Sequence, residues 1–426
     1  MQNIYLQKLK EEFVPAAGCT EPAAIALAAA KASETLNALP ERIEIKVSGN
    51  VLKNVMGVGI PGSNMVGLPI AAALGALGGE SCNGLEIFTN ISESVASQAK
   101  SFVREGKVQV DMLNDVPKLH IECVSFKGDD SSRVVIQDRH ENIILVERNG
   151  EIIFSKEINQ CEKGTDEQKG WSVESIYEFV QNIEISELRF LLEGVELNKK
   201  IAEEGLKGNY GLQVGKSMLV NIEKGFLSED IINKSVMMAA AASDARMAGC
   251  PMPVMSNCGS GNQGMSLTLP IMVAAEKLKV EEDTLLRALA LGLLISIHMK
   301  SFIGQLSALC GVLLSTSGAA CAITYMMGGD MNHLASTLKN MTGSVTGMIC
   351  DGANSSCAQK ISASVSAGIQ SSLLALNSQC LSCMDGIIDE DVEETIRNIG
   401  RLATEGMEVT DEVILKTMLE KMRKVS

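Results

Sequence analysis

Three cysteines between positions 310 and 357 are the residues whose types and spacing point most clearly to chemistry. Cys310 stands in LSALCG, and Cys350 and Cys357 enclose the run DGANSS. Glycines and a short turn beside them let the backbone approach a bulky guest closely. Three thiolates suit an iron-sulfur cluster with one iron left open, whereas a closed structural zinc site needs four protein ligands. The alternative is that these cysteines are small buried core residues.

Cys19 is a second candidate for chemistry. It precedes Thr20, Glu21 and Pro22, and the residues after them predict an Ala-rich helix over 23–38 with Thr20 as its cap. A thiol at the start of this helix would meet unpaired N–H groups and the helix dipole, which lower a thiol pKa. Cys19 is therefore a candidate thiolate, with a buried structural cysteine as the alternative.

A polar loop over 256–264 is a candidate site for a substrate carboxylate. Ser256, Asn257, Ser260 and Asn262 offer neutral hydrogen-bond donors. An apolar segment follows, and the N-terminus of a helix there would favour an anion. We expect the donors to point into the same cavity as the three cysteines, and an ordinary turn is the alternative.

Two basic residues close the long apolar segment 282–303. His298 and Lys300 lie near its end. An ionisable side chain in such surroundings is costly unless it is paired, so we treat both as candidate catalytic groups facing a cavity. Lys360, just beyond the third cysteine, is a further basic candidate. A structural role is the alternative for a lone histidine.

The sequence patterns of the helices and strands that must position these residues predict an α+β fold. Period-two alternation predicts strands, and this pattern recurs over 107–112, 118–126, 132–138, 142–148 and 151–155. From 172 onward helical spacing dominates. We expect a mostly α-helical catalytic domain with an inserted α+β domain that contains an antiparallel-rich sheet. The predicted division is 1–40, N-terminal helices packing with the catalytic domain; 41–168, the inserted domain; and 169–426, the catalytic domain.

Composition restricts the partners. The formal net charge of -15 argues against nucleic acid, which is bound by clustered Lys and Arg. The longest apolar runs are interrupted before they reach membrane-spanning length, and the amino terminus is charged, so we expect a cytoplasmic protein without a membrane partner. Twelve cysteines in a reducing compartment favour metal or redox chemistry over disulfides. We expect a small-molecule amino acid as partner and leave a homo-oligomer open.

Three fragments carry a family resemblance. GCTEPAA at 18–24, KSFIGQLSALCG at 300–311 and CDGANSSC at 350–357 resemble the L-cysteine desulfidase family, which is related to the alpha chain of iron-sulfur L-serine dehydratase. The likeness runs in order over nearly the whole chain. It implies a [4Fe-4S] cluster held by Cys310, Cys350 and Cys357. It also implies that Cys19 is an active-site residue, either a fourth cluster contact or an acid/base group.

The resemblance implies a lyase of amino-acid catabolism. It would eliminate the β-substituent of L-cysteine without pyridoxal phosphate, giving pyruvate, ammonia and hydrogen sulfide, with Cys19 or Lys300 taking the α-proton. An L-serine dehydratase would use the same site with a hydroxyl leaving group. A non-catalytic protein that carries a cluster and binds a ligand is the remaining alternative.

Overall fold

The computed structural model describes residues 2–156, 170–304 and 306–425. The strands are β1 Pro15–Ala17, β2 Arg42–Ser48, β3 Gly59–Ile60, β4 Met65–Val66, β5 Val108–Leu113, β6 His120–Lys127, β7 Asp130–Gln137, β8 Ile143–Arg148, β9 Glu151–Ser155 and β10 Pro253–Met255. The helices are α1 Gln2–Glu12, α2 Thr20–Leu36, α3 Gly49–Val55, α4 Leu68–Gly78, α5 Glu93–Arg104, α6 Val173–Asn182, α7 Leu191–Lys207, α8 Val214–Glu223, α9 Ile231–Met247, α10 Gly261–Leu278, α11 Glu282–Ser301, α12 Val312–Met326, α13 Met331–Val345, α14 Ser356–Leu376, α15 Val392–Arg401 and α16 Glu408–Val425.

The expected α+β fold with an antiparallel-rich sheet is confirmed. The main sheet has six strands in the order β5-β2-β6-β7-β8-β9. The pair β2 and β5 is parallel and the other neighbours are antiparallel. Apolar and polar residues alternate along β2, and this explains which face of the sheet is buried. Ile43, Ile45 and Val47 are fully buried, while the residues between them are partly exposed.

Two hydrophobic cores account for most of the buried apolar residues. The sheet core packs α2 and α4 on the sheet and includes Ile25, Ile45, Leu74 and Ile121. The helical core includes Leu9, Ile176, Leu269 and Leu291. These two cores meet around the residues discussed below.

Helix α2 approaches α4 closely because small residues face each other. A Cβ added to Gly75 of α4 would lie 2.1 Å from the backbone oxygen of Ala26, so only glycine fits there. The Ala-rich sequence of α2 therefore serves to bring two helix backbones together over the sheet.

The first two helices pack in different places. Helix α1 contributes Tyr5, Leu9 and Phe13 to the helical core, whereas α2 packs in the sheet core. The small side chains of α2 thus pack against α4 and the sheet, and the expected packing of both N-terminal helices with the catalytic domain stays a prediction. The boundary expected between 168 and 169 lies outside the described residues, and the division into domains stays a prediction.

Helix α11 is apolar because it is central. By length and composition alone it could cross a membrane, but 72% of its most apolar window is buried inside the protein. It meets α12 at two glycines, since a Cβ on Gly318 would lie 2.2 Å from the oxygen of Gly292. This burial explains the apolar run as part of the helical core.

Candidate active site

A cavity of about 110 Å³ lies where the two cores meet. The first turns of α2, α10, α12 and α14 reach its wall. Unpaired N–H groups at helix starts carry partial positive charge, so four such starts favour anionic groups inside the cavity. The cavity is therefore suited electrostatically to thiolates and to a carboxylate.

The three cysteines predicted to hold a cluster all line this cavity. Backbone hydrogen bonds bring two of them together: the N–H of Cys310 donates to Met348 O at 3.0 Å, and the N–H of Cys350 donates to Ala308 O at 2.7 Å. These bonds flank an antiparallel bridge between Leu309 and Ile349. Two loops distant in sequence are thus paired like short strands, which places Cys310 and Cys350 at diagonal positions on the same face of the pair.

Cys357 reaches the same wall from the first turn of α14. Its N–H donates to Asn354 O at 3.0 Å, and its Sγ lies 3.9 Å from Gly352 O. Gly311 and Gly352, which we expected to leave space for a bound group, are instead approached closely by other protein atoms. A Cβ on Gly311 would lie 2.7 Å from Gln263 Nε2, and one on Gly352 would lie 2.3 Å from Lys53 O.

Burial controls the charge of these thiols. Burial and, after it, the neighbouring Cys350 raise the pKa of Cys310 to about 12. Burial likewise raises the pKa of Cys357, against the hydrogen bond from Asn354. Both side chains are therefore thiols at neutral pH unless a cation is bound beside them, as a cluster would provide.

The donor set fits an iron-sulfur cluster better than a single metal ion. Within residues 2–156, 170–304 and 306–425, no three His, Cys, Asp or Glu side chains are grouped so that they could hold one metal ion. A cluster takes its thiolates on different irons, so its ligands stand around a volume and need not meet at one point. Cys310, Cys350 and Cys357 on the wall of one cavity have this arrangement.

Cys19 lines the cavity but differs from the sequence-based expectation. It is itself the N-cap of α2, and Thr20 is the first helical residue. Burial raises the pKa of the Cys19 thiol to about 12, although the charge of Arg246 lowers it. The predicted lowering by the helix start is therefore wrong for this structure, because loss of solvent outweighs the dipole.

The candidate carboxylate loop divides into two pairs of residues. Ser260 and Asn262 line the cavity at the start of α10. Asn257 instead donates through Nδ2 to Ser296 Oγ at 3.1 Å, and Ser256 donates through Oγ to Val14 O at 2.7 Å. Their side chains are therefore placed outside the cavity, where they fix the loop to neighbouring elements.

Of the two basic candidates on α11, only Lys300 lines the cavity. Burial lowers the pKa of its ammonium group, against the charges of Cys258 and Cys350. His298 is buried elsewhere and lies 2.7 Å from Glu393 through Nε2, with Phe302 packed edge-on against its ring. A structural role accounts for these contacts of His298.

Several cavity residues escaped the sequence analysis. Arg246 is buried and donates through Nε to Gly18 O at 3.1 Å, and its charge reaches the thiols of Cys19 and Cys357. The carbonyl oxygen of Gln263 lines the cavity without a partner among the described residues. Arg246 carries no motif, and its charge within an Ala- and Met-rich segment was the available signal. Gln263 lies within the polar loop 256–264 but was not among its predicted donors.

Three more missed residues form a polar group on the sheet side of the cavity: Glu21, Asn54 and His140. Burial alone would raise the pKa of the Glu21 carboxyl, but His140 and the hydrogen bond from Asn54 bring it below the ordinary value. Burial lowers the pKa of the His140 imidazole. At neutral pH the group therefore combines a carboxylate with a neutral ring.

Comparison with known proteins places the chain in a family. The sequence profile of the serine dehydratase alpha chain matches residues 83–416. A UPF0597 protein of Oleidesulfovibrio alaskensis is 45% identical over 419 residues, covering 98% of both chains. A UPF0597 protein of Parabacteroides distasonis is 45% identical over 416 residues, covering 97% of both chains. The match extends over most of the chain and includes the three cysteines, and the chain therefore belongs to the serine dehydratase alpha chain family.

Proposed function

We propose that this chain is a lyase that catalyses β-elimination on a small amino acid, without pyridoxal phosphate, and that L-cysteine is its substrate. The products would be pyruvate, ammonia and hydrogen sulfide. The observation that carries the proposal is that Cys310, Cys350 and Cys357 line one cavity together with Cys19 and Lys300. Family membership supports the same reaction class.

Cys310, Cys350 and Cys357 would hold a [4Fe-4S] cluster, with one iron free of protein thiolate. When bound, such a cluster supplies a Lewis acid. The chain supplies the rest of the site. Lys360 forms an ion pair with Asp351 that keeps its pKa raised, so its positive charge persists beside the thiolates.

The α-proton would pass to Lys300, or to Cys19 once a neighbouring cation holds that thiol as the thiolate. Burial lowers the pKa of Lys300 and so increases the fraction of free amine that can act as a base. Ser260 and Asn262 would bind the carboxylate and present the Cα–H bond to that base. Loss of the proton and of hydrosulfide gives aminoacrylate, and water converts its imine tautomer to pyruvate and ammonia.

L-Serine is the second candidate substrate, because the matching family is that of the serine dehydratase alpha chain. Its elimination would release water instead of hydrogen sulfide and would use the same base. Comparing pyruvate formation from L-cysteine and L-serine by one anaerobic preparation distinguishes the two. A higher kcat/KM for L-serine would reject the L-cysteine assignment.

The cluster is tested by iron and sulfide analysis with an absorption spectrum under anaerobic conditions. We expect about four irons and four sulfides per chain in the wild type. Cys310→Ala should lose the spectrum and turnover together. Cys82→Ala is the matched control, since Cys82 is exposed and does not line the cavity. Retention of a full cluster by Cys310→Ala would contradict its assignment as a ligand.

A further inference from the structure

Three side chains from different elements meet on the sheet side of the cavity. Glu21 comes from the first turn of α2, Asn54 from α3, and His140 from the turn after β7. Each is at least nine-tenths buried. Asn54 Oδ1 and His140 Nε2 have no hydrogen-bond partner among the described residues. Unsatisfied buried polar atoms are costly, so their presence on a cavity wall indicates a ligand that pairs with them.

The hydrogen bonds within this group determine which atoms remain available. Asn54 Nδ2 donates to Glu21 Oε1 at 2.7 Å, and Thr20 Oγ donates to Glu21 Oε2 at 3.1 Å. A carboxylate can only accept, so the Asn54 amide must turn its nitrogen toward Glu21 and leave its oxygen unpaired. Each Glu21 oxygen still has room for a second donor.

His140 adds a third acceptor. Its Nε2 lies 4.0 Å from Glu21 Oε1. In the tautomer that carries the proton on Nδ1, Nε2 accepts a hydrogen bond. The group then presents Glu21, Asn54 and His140 as three acceptors, one of them negatively charged.

We propose that Glu21, Asn54 and His140 bind the α-ammonium group of the substrate, an assignment that rests on the proposed elimination of an amino acid. An ammonium group has three N–H donors and one positive charge, which match three acceptors and one carboxylate. A hydroxyl group offers one donor and no charge. The site therefore selects α-amino acids over the corresponding α-hydroxy acids.

The proposed position of the ammonium group agrees with the residues on the rest of the cavity wall. Arg246, Ser260 and Asn262 provide donors and positive charge for a carboxylate, while the three predicted ligand cysteines would hold the cluster that interacts with the β-substituent. An α-amino acid bound in this way has each of its polar groups opposite a complementary wall. Lys300 lines the same cavity and interacts electrostatically with Glu21.

The test uses unreactive probes, so that binding is measured without turnover. L-Alanine and L-lactate differ only in the amino and hydroxyl groups, and neither has a leaving group at Cβ. Their affinities for the anaerobically prepared full chain are measured by calorimetry. We expect the wild type to prefer L-alanine by about tenfold or more, and Glu21→Gln to weaken L-alanine by roughly tenfold to a hundredfold while changing L-lactate by less than about twofold.

Two further variants separate binding from folding. His140→Phe keeps a ring but removes the acceptor, and should weaken L-alanine by about threefold to tenfold. Glu122→Gln is the matched control, since Glu122 is a partly buried carboxylate that pairs with Arg133 on the sheet, away from the cavity. It should leave both affinities unchanged. Thermal unfolding of each variant identifies any loss of fold.

The outcomes distinguish this inference from the proposed reaction. The ammonium assignment would be overturned if Glu21→Gln lost affinity equally for L-alanine and L-lactate, or if both cavity variants kept the wild-type affinity for L-alanine. This holds even if the wild type eliminates hydrogen sulfide from L-cysteine. Absence of L-alanine binding by the wild type would also overturn it. If Glu21→Gln selectively loses affinity for L-alanine while the wild type turns over neither L-cysteine nor L-serine, the ammonium site is supported and the proposed reaction is rejected.

Discussion

Position relative to the cavity distinguishes Cys310 from Cys123, although both thiols are buried. Burial raises the pKa of Cys123 to about 12, against a hydrogen bond with Ser125, and this thiol does not line the cavity. Cys310 has the same raised pKa, but it faces a cavity with Cys350, Cys357 and Lys360. Cys123 is thus a small core residue, whereas the thiols at the cavity can become thiolates when a cation arrives.

Cys19→Ala should separate proton transfer from cluster binding. We expect the variant to keep its iron, sulfide and absorption spectrum, and to lose turnover by about a hundredfold or more, as is typical when a general acid or base is removed. Cys123→Ala is the control, because that thiol is equally buried but lies outside the cavity. Complete loss of iron in Cys19→Ala would make Cys19 an obligatory ligand instead.

Asn262→Ala and Asn257→Ala should have different effects although the two residues lie five positions apart. Asn262 lines the cavity, so its loss should raise KM and lower kcat without changing the cluster spectrum. Asn257 holds Ser296 in the core, so its loss should lower the free energy of unfolding by about 1–3 kcal/mol. Steady-state kinetics and denaturant unfolding measure the two effects. Identical kinetics for wild type and Asn262→Ala would indicate that Asn262 has only a structural role.

The polar residues of the site illustrate what the sequence could and could not predict. Cys310, Cys350 and Cys357 carried both a residue type and a motif, and they do line one cavity. His140 lies more than a hundred residues from Glu21 in sequence, in a charged turn that resembles any surface turn. Only the pairing of β7 with its neighbours and the packing of α2 on the sheet bring them together.

Helix α3 connects the cysteine loop to the C-terminal helix through one buried lysine. Lys53 Nζ donates to the carbonyl oxygen of Cys350 at 3.1 Å and pairs with Asp411 of α16. Asn50 also donates to Asp411, at 3.1 Å. Helix α16 is thereby linked to the backbone of a candidate ligand.

Lys53→Met should therefore lower both stability and cluster retention. The change leaves Asp411 partly buried without its cation, and removing one partner of a buried pair costs roughly 3–5 kcal/mol. Urea unfolding and the rate of iron loss to a chelator give the two readouts. The double variant Lys53→Met with Asp411→Leu should recover part of the stability. If the single variant unfolds like the wild type, the pair contributes nothing measurable.

Regular elements were more predictable than their ends. The strands follow from a period of two residues and the helices after 172 from helical spacing, and the structure confirms these patterns with shifts of a few residues. The cap of α2 was wrong by one residue, because a thiol occupies the N-cap without a side-chain hydrogen bond. The bridge between Leu309 and Ile349 has no local signal at all, since it depends on long-range packing.

The assembled fold makes the cavity depend on both cores. Cys19 belongs to the sheet core, and Cys310 to the helical core. A cluster bound between them would stabilise the native state alone, since unfolding separates its ligands. We expect anaerobic reconstitution to raise the unfolding temperature of the wild type and to leave that of Cys350→Ala unchanged. Scanning calorimetry before and after reconstitution measures this, and an equal rise in both proteins would contradict the ligand assignment.

The paired loops around Leu309 and Ile349 bear on the order in which the protein matures. Their hydrogen bonds run through the backbone amides of Cys310 and Cys350 and need no sulfur. These loops could therefore form without a cluster, and cluster insertion would then be a late step on a folded protein. Slow hydrogen exchange at the amides of Cys310 and Cys350 in iron-depleted protein would show that the paired loops form without iron.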